Sequence, residues 1–98
     1  MSDLRFGWDP RTSRANVRKH GIAFDEAEMV FSDERAILLD DPDHSDYEDR
    51  FVLLGLSAAL RTLVVCHCYR EADDVIRIIM ARRATKPERR QYAQRWSQ

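Results

Sequence analysis

The stretch LVVCHCYREADDVIRIIMARRA, residues 63–84, predicts the antiparallel β-hairpin around which the fold is built. Apolar residues alternate along two runs, residues 62–69 and 75–82, and the polar residues between them indicate a turn near Ala72. Arginines interrupt the stretch where a purely structural hairpin would carry more valine or isoleucine: Arg70, Arg77, Arg82 and Arg83. These arginines need an explanation beyond strand formation.

A turn near Ala72 makes His67 and Arg77 cross-strand neighbours, so we expect an imidazole and a guanidinium side by side on one accessible face of the sheet. The opposite face is expected to belong to the core, because strand side chains alternate. It would carry Cys66, Cys68, Ile76, Ile78 and Met80.

Signals along the first 33 residues predict a short strand and two helices. Leu4, Phe6 and Trp8 alternate with smaller or polar residues, which is typical of a half-buried strand. The next helix is expected over residues 10–20, because Asp9-Pro10 is a start signal and Gly21 a stop signal. An apolar spacing of i, i+3, i+4 and i+7 from Phe24 to Phe31 predicts the second helix, for which Ala23 is a poor cap.

The second half of the chain predicts strands and one last helix. Strands are expected at residues 36–40 and 50–57, in addition to the two strands of the hairpin. Thr85 and Glu88 have the spacing of a capping box, so the final helix is expected to run through Tyr92 and Trp96. The order β-α-α-β-β-β-β-α indicates a single α+β domain, residues 1–98, with a small, mainly antiparallel sheet of four to five strands. We expect its helices to cover one face of the sheet.

Composition narrows the functional classes. Charged residues make up 34% of the chain and no apolar run approaches the ~18 residues of a membrane span, so we expect a cytoplasmic protein without membrane contact. The formal charge is divided: residues 1–60 carry seven basic and thirteen acidic residues, whereas residues 61–98 carry nine and four. A basic second half suggests a nucleic-acid-facing surface, although solvated helix faces and ordinary salt bridges explain most charge runs.

The sequence Cys66-His67-Cys68 does not indicate a metal site. In a strand His67 points away from both cysteines, and no second pair of ligands follows, so we expect reduced thiols and neither a metal nor another cofactor. Arginines suit phosphate, because the guanidinium is a planar fork of donors that stays charged. Ion pairs with the acidic residues between the second and third strands, residues 40–49, are the structural alternative for each arginine.

Three segments together resemble the BrnT family of toxins from bacterial type II toxin–antitoxin systems. They are FGWDPRTSRANVRKHGIAFDEAEMVF (residues 6–31), DDPDHSDYEDRFVLLGLS (residues 40–57) and VVCHCYREADDVIRIIMARRATKPERRQY (residues 64–92). The resemblance implies a RelE-like ribonuclease fold and metal-independent RNA cleavage. It also implies neutralisation by a BrnA-like DNA-binding antitoxin encoded beside the toxin.

Carried onto this chain, the family motifs imply the roles of individual residues. His67, Arg70, Arg77, Arg82 and Glu48 are expected to be catalytic, with His67 or Glu48 as acid or base and the arginines stabilising charge. Arg83, His44 and Lys86 are expected to contact RNA. Phe6 and Trp8 are candidates for the antitoxin surface, besides a role in the core, and the free chain is expected to form a homodimer.

The chain departs from the family pattern at Cys68, Met80 and Ala23, which replace a threonine and two serines. The first two fall on the predicted core face, so they weaken the ribonuclease interpretation little. Two rival interpretations remain open. One is a module that binds nucleic acid or a partner without chemistry, and the other is a structural subunit whose arginines are all paired.

Overall fold

A computed structural model describes residues 4–40, 50–70 and 73–96, and the side chains of these residues except Asp40, Arg70 and Trp96. None of the helices in these ranges is both long and apolar enough to cross a membrane. The order of elements is the predicted one. It comprises β1 (Arg5–Gly7), α1 (Pro10–His20), α2 (Phe24–Met29), β2 (Ile37–Asp40), β3 (Arg50–Leu56), β4 (Thr62–Arg70), β5 (Val75–Arg83) and α3 (Lys86–Trp96).

The five strands form one sheet in the order β1-β5-β4-β3-β2. Strands β2 to β5 pair antiparallel with one another, and only β1 runs parallel to its neighbour β5. The prediction of a mainly antiparallel sheet in an α+β domain is therefore confirmed. The parallel pairing follows from the long path between β1 and β5, because β1 lies at the sheet edge beside a strand that comes almost 70 residues later.

The two faces of the sheet have separate apolar clusters. The first cluster joins β4 and β5 to α2 and the residues that flank it, and it contains Ile22, Phe24, Ala27, Val30, Leu63, Val65, Ile78 and Ala81. The second cluster lies under α3 on the other face and contains Leu54, Val64, Ala84 and Tyr92. The expectation that all helices cover one face is wrong, because Tyr92 of α3 packs against the face opposite α1 and α2.

The predicted helix boundaries are confirmed by their hydrogen bonds. Asp9 caps α1 by accepting from the backbone N–H of Arg11 at 2.9 Å, and Gly21 ends the helix with φ 73°, a conformation that favours glycine. At α3, Thr85 N–H donates to Glu88 Oε1 at 2.8 Å and Glu88 N–H donates to Thr85 Oγ1 at 3.3 Å. Ala23 makes no side-chain cap for α2, which is extended by a 3₁₀ turn at Val30–Ser32.

Asn16 fastens α1 to the outer edge of β5. Its side-chain amide donates to the carbonyl oxygens of Ile22 and Ala81, both at 2.8 Å, and its Oδ1 accepts from the N–H of Ala81 at 3.1 Å. β1 pairs with β5 only from Val75 to Arg77, so Asn16 supplies to Ala81 the hydrogen bonds that a neighbouring strand would supply. The asparagine is 6% exposed and all its bonds are internal.

The central hairpin contains a β-bulge that the sequence analysis did not predict. Cys66 pairs with Met80 and His67 pairs with Ile78, which leaves Ile79 without a partner on β4. An unpaired residue on one strand shifts the register of everything beyond it. The bulge therefore decides which residues of β5 share a face with which residues of β4.

We expect Asn16→Ala to lower the free energy of unfolding by about 2–4 kcal/mol, because it leaves buried backbone groups of Ile22 and Ala81 without partners. Urea unfolding followed by circular dichroism measures this. Thr12→Ala, an exposed substitution on the same helix, is the matched control and should change stability by less than about 0.5 kcal/mol. Equal stability of the Asn16 and Thr12 variants would contradict the role given to Asn16.

Candidate functional site

A row of three residues crosses the sheet on the face that carries α3. Arg50 of β3 pairs with Cys68 of β4, and Cys68 pairs with Arg77 of β5. Cys68 shares its face with Val64, which belongs to the cluster under α3, because the two residues are four positions apart on one strand. With strands ~4.8 Å apart, the α-carbons of Arg50 and Arg77 lie about 10 Å from each other. Both guanidiniums are therefore within reach of one bound anion.

The row is only half-buried, and α3 covers a different part of the face. The side chains of Arg50, Cys68 and Arg77 are all of intermediate exposure. Tyr92 of α3 packs at Val64, four residues or about 13 Å along β4 from Cys68. Within the described part of the chain, Arg77 makes no ion pair and no side-chain hydrogen bond. Arg77 thus presents an available guanidinium on an open sheet face.

The predicted pairing of His67 with Arg77 is wrong. His67 lies opposite Ile78 and shares the face of the first cluster, whereas Arg77 lies opposite Cys68 on the other face. The cause is the bulge at Ile79, which changes the phase of β5 relative to β4. The predicted core face is wrong for the same reason, since Ile78 is buried on the side away from Cys66 and Cys68.

His67 is a core residue in this structure. It is 7% exposed, and its ring lies 4.8 Å from that of Phe31 and 5.9 Å from that of Phe51, measured between centroids. Its Nδ1 lies 3.3 Å from the carbonyl oxygen of Val65. Burial lowers the pKa of His67 below its usual value, against the smaller opposing effect of the Val65 carbonyl. The imidazole is therefore held neutral at pH 7.

Arg82 is engaged in an ion pair, the structural alternative that the sequence left open. Its Nη1 donates to Glu88 Oε1 at 2.8 Å and its Nη2 donates to Glu88 Oε2 at 3.0 Å. Arg82, together with burial and the cap at Thr85, shifts the pKa of Glu88, and the net effect lowers it to about 2. The ion pair fixes the end of β5 to the first turn of α3, so Arg82 has a structural role.

The other predicted residues lie in several places. Arg83 and Lys86 are exposed near the start of α3. Phe6 and Trp8 are half-buried and pack on the first cluster, with ring centroids 5.0 Å from Phe31 and 5.9 Å from Phe24. The backbone of Arg70 pairs with Val75, and its side chain lies outside the described part. Glu48 and His44 also lie outside the described residues.

Sequence reasoning missed Arg50 as a functional candidate. Its signal is the register, since only the pairing of β3 with β4 places Arg50 beside Cys68 and, across it, Arg77. The position of Arg50 at the beginning of β3, two residues after Glu48, was visible in the sequence. That position alone does not reveal which face it occupies.

We expect stability to fall as the pH drops below about 6.5, partly because of His67. The unfolded chain takes up a proton there, while the buried imidazole, whose pKa is lowered, resists protonation, so acid favours unfolding. His67→Phe keeps the aromatic contacts but cannot titrate. Urea unfolding at pH 7.5 and pH 5 should therefore show a smaller acid-induced loss of stability in the variant. An equal loss in both proteins would contradict the burial of a neutral His67.

Comparisons with known proteins show the family of the chain and support its fold. The fold matches the 1.1 Å crystal structure of the Brucella abortus ribonuclease toxin BrnT with a TM-score of 0.66 and 21% identity, over 86% of this chain and all of that one. No curated protein sequence matches the chain significantly. The family model described as the ribonuclease toxin BrnT of type II toxin–antitoxin systems matches residues 8–88. The chain therefore belongs to the BrnT family of type II toxins.

Proposed function

We propose that the protein is a metal-independent endoribonuclease toxin that binds RNA on the open sheet face at Arg77. The observation that carries this proposal is the half-exposed guanidinium of Arg77, which lies in a row with Cys68 and Arg50 and has no ion-pair partner among the described residues. Membership of a ribonuclease toxin family supports the choice of RNA as the anion.

The proposed reaction is an intramolecular transesterification of the RNA backbone. A base removes the proton of a 2′-hydroxyl, the 2′-oxygen attacks the adjacent phosphorus, and the bond from phosphorus to the 5′-oxygen breaks as an acid protonates that oxygen. The products are a 2′,3′-cyclic phosphate and a free 5′-hydroxyl. Arg77 serves the step by donating hydrogen bonds to the phosphate oxygens, where negative charge accumulates.

The proton-transfer groups are proposed from the sequence, because residues 41–49 lie outside the described residues. Glu48 precedes Arg50 by two residues, and we propose it as the general acid or base, with His44 from the same segment contacting RNA. Arg70 is proposed as a second donor to the phosphate. The burial of His67 favours a structural role beneath β3 and β4 over proton transfer. The ion pair with Glu88 likewise favours a structural role for Arg82. Their catalytic roles remain predictions.

A specific observation also favours a second function, in which the domain binds RNA without cleaving it. Two of the predicted catalytic groups are engaged elsewhere, since His67 is buried between aromatic rings and Arg82 is paired with Glu88. A family member without chemistry would retain the phosphate-binding face and lack turnover. The two functions differ in whether bound RNA yields cyclic phosphate ends.

We further propose that a BrnA-like DNA-binding antitoxin binds the chain at the β1 edge of the sheet and that the free chain forms a homodimer. β1 is the outermost strand on that side, and Leu4 beside it is 52% exposed. Phe6 and Trp8 are half-buried there, so a partner can cover their remaining surface. An unpaired strand edge with apolar side chains is a surface that partners commonly use.

We expect Arg77→Ala to lower the rate of RNA cleavage about 10²–10³-fold with little change in stability, because a donor to the transition-state charge is lost from a half-exposed site. Purified protein is incubated with RNA in EDTA, and the product ends are mapped. Arg18→Ala removes an exposed arginine from α1, which Asn16 holds at the edge of β5 beside Ala81, and should cleave like the wild type. Cleavage by Arg77→Ala at the wild-type rate would exclude the proposed site. Bound but intact RNA in the wild type would favour the non-catalytic module.

We expect Leu4→Asp to weaken antitoxin binding at least tenfold while leaving RNA cleavage unchanged, because it puts a charge on the proposed apolar surface. The matched control is Leu38→Asp, a 61% exposed leucine on β2 at the other edge of the sheet. Calorimetric titration with the antitoxin measures both. Equal affinities for the two variants would place the antitoxin elsewhere. Light scattering that shows only monomer at high concentration would contradict the homodimer alone.

A further inference from the structure

A second basic feature lies at the end of the sheet, away from Arg77. The turn between β3 and β4, the end of β5 and the first turns of α3 surround a recess of about 200 Å³. It is called here the Arg83 recess and is lined by Leu60, Arg61, Thr62, Arg83, Ala84 and Arg89. Three guanidiniums therefore line one small space.

Arg61 is fixed in position by Glu26. Its Nε donates to Glu26 Oε2 at 2.8 Å, and its Nη2 donates to Oε1. Ser57 Oγ also donates to Oε2, at 2.8 Å. The hydrogen bond from Arg61 is the main cause of the lowered pKa of Glu26, so this carboxylate is ionised and both its oxygens are occupied. It balances one of the three positive charges and leaves the other two.

The other two arginines keep most of their donors available. Arg89 Nη1 donates to the carbonyl oxygen of Ala84 at 2.8 Å, which holds this side chain at the rim of the recess. Arg83 is exposed, and its guanidinium donates to no residue of the described ranges. Because each guanidinium has five N–H donors, the recess offers many donors and a net positive charge.

The size and donors of the recess suit one oxyanion. A volume of about 200 Å³ is below the ~300–1,000 Å³ of sites for drug-sized ligands. Forked guanidinium donors match the oxygens of phosphate. At its side the sequence of α3 adds Lys86 and Arg90, and the helix's one acidic residue, Glu88, is bound to Arg82. A polyanion is a better ligand than a single acidic side chain, because Lys86 and Arg90 extend the positive charge beyond the recess.

The recess lies at the end of the sheet and is lined by residues from both of its faces. Thr62 and Ala84 lie on the face that carries α3, the face of Cys68 and Arg77. Arg83 pairs with Leu63 of the first cluster, so its side chain lies on the other face from Arg77, because the bulge at Ile79 separates the two arginines. Arg77 and Arg83 are six residues apart on β5, about 20 Å at 3.3 Å per residue, and an RNA strand that joins them has to pass beside α3 and around the end of the sheet. Phosphates along one strand of a duplex are about 3.4 Å apart, and with a similar spacing at least about six nucleotides span this distance.

We propose that the Arg83 recess binds a backbone phosphate of the RNA substrate several nucleotides from the bond that is broken at Arg77. This inference rests on the proposed ribonuclease function and adds an anchor that does not read sequence, since guanidiniums on phosphate distinguish no bases. It assigns Arg83 and Arg89 to substrate binding and leaves Arg61 to hold the recess in shape.

The test measures binding of RNA that cannot be cleaved. Fully 2′-O-methylated RNA of 4 and 12 nucleotides is titrated by fluorescence anisotropy against the wild type and Arg83→Gln/Arg89→Gln. We expect the double variant to bind the 12-mer about tenfold more weakly, with a salt slope lower by about 0.7 for one lost phosphate contact. The 4-mer is too short to contact both Arg77 and the Arg83 recess, so its affinity should differ less than twofold between the two proteins. Thermal unfolding verifies that the variant is folded.

Arg14→Gln/Arg18→Gln is the matched control, because it removes the same charge from exposed positions of α1, a helix that does not line the recess. It should bind the 12-mer like the wild type. The proposal is overturned if the two double variants weaken binding equally, or if Arg83→Gln/Arg89→Gln binds the 12-mer unchanged. Loss of antitoxin binding with unchanged RNA binding also overturns it, in favour of a protein partner.

The result is separable from the proposed function. A wild type that binds but does not cleave natural RNA contradicts the ribonuclease, while the length dependence with methylated RNA still tests the recess. A wild type that cleaves RNA, together with a double variant that cleaves 4-mers and 12-mers with unchanged kcat/KM, contradicts the recess alone.

Discussion

The hydrogen bonds of Asn16 are the constraint on which the arrangement of the domain depends. β1 is only three residues long, so most of the outer edge of β5 has no neighbouring strand among the residues that the structure describes. Backbone groups at such an edge need partners when they are buried. Asn16 supplies them at Ala81 and also holds the carbonyl of Ile22, so one side chain joins the C-terminal end of α1, the next segment and the sheet.

The bulge in β5 next to this attachment decides the chemistry of the two faces. Ala81 is buried and fixed by Asn16, Ile79 is left unpaired, and Ile78 returns to the core. One extra residue between Ala81 and Ile78 turns Arg77 to the face that carries α3, while His67 on β4 stays under Phe31. A sheet without the bulge would have a different set of side chains around Arg77. The open basic face is therefore a product of backbone register as much as of composition.

The sequence predicts the elements well because their signals are local. Asp9 and Pro10 before α1, Gly21 after it and the Thr85 to Glu88 box of α3 each act through hydrogen bonds within a few residues. The five-stranded sheet follows from alternation. The pairing of His67 with Arg77 failed because it assumed a regular hairpin, and a bulge has no sequence signal as simple as a cap. The Arg83 recess could not be predicted from the sequence either, since Arg61 and Arg89 come together only when α3 packs against the end of the sheet.

The central claim is that RNA binds the face that Arg77 shares with Cys68, and Cys68 provides a direct test. It is half-exposed between Arg50 and Arg77, whereas Cys66 on the same strand is 7% exposed and serves as an internal reference. The measurement is the rate of alkylation of each thiol by iodoacetamide, read by mass spectrometry with and without saturating 2′-O-methylated RNA. The account predicts that RNA slows alkylation of Cys68 severalfold. An unchanged rate at Cys68 with RNA bound would show that RNA occupies another surface.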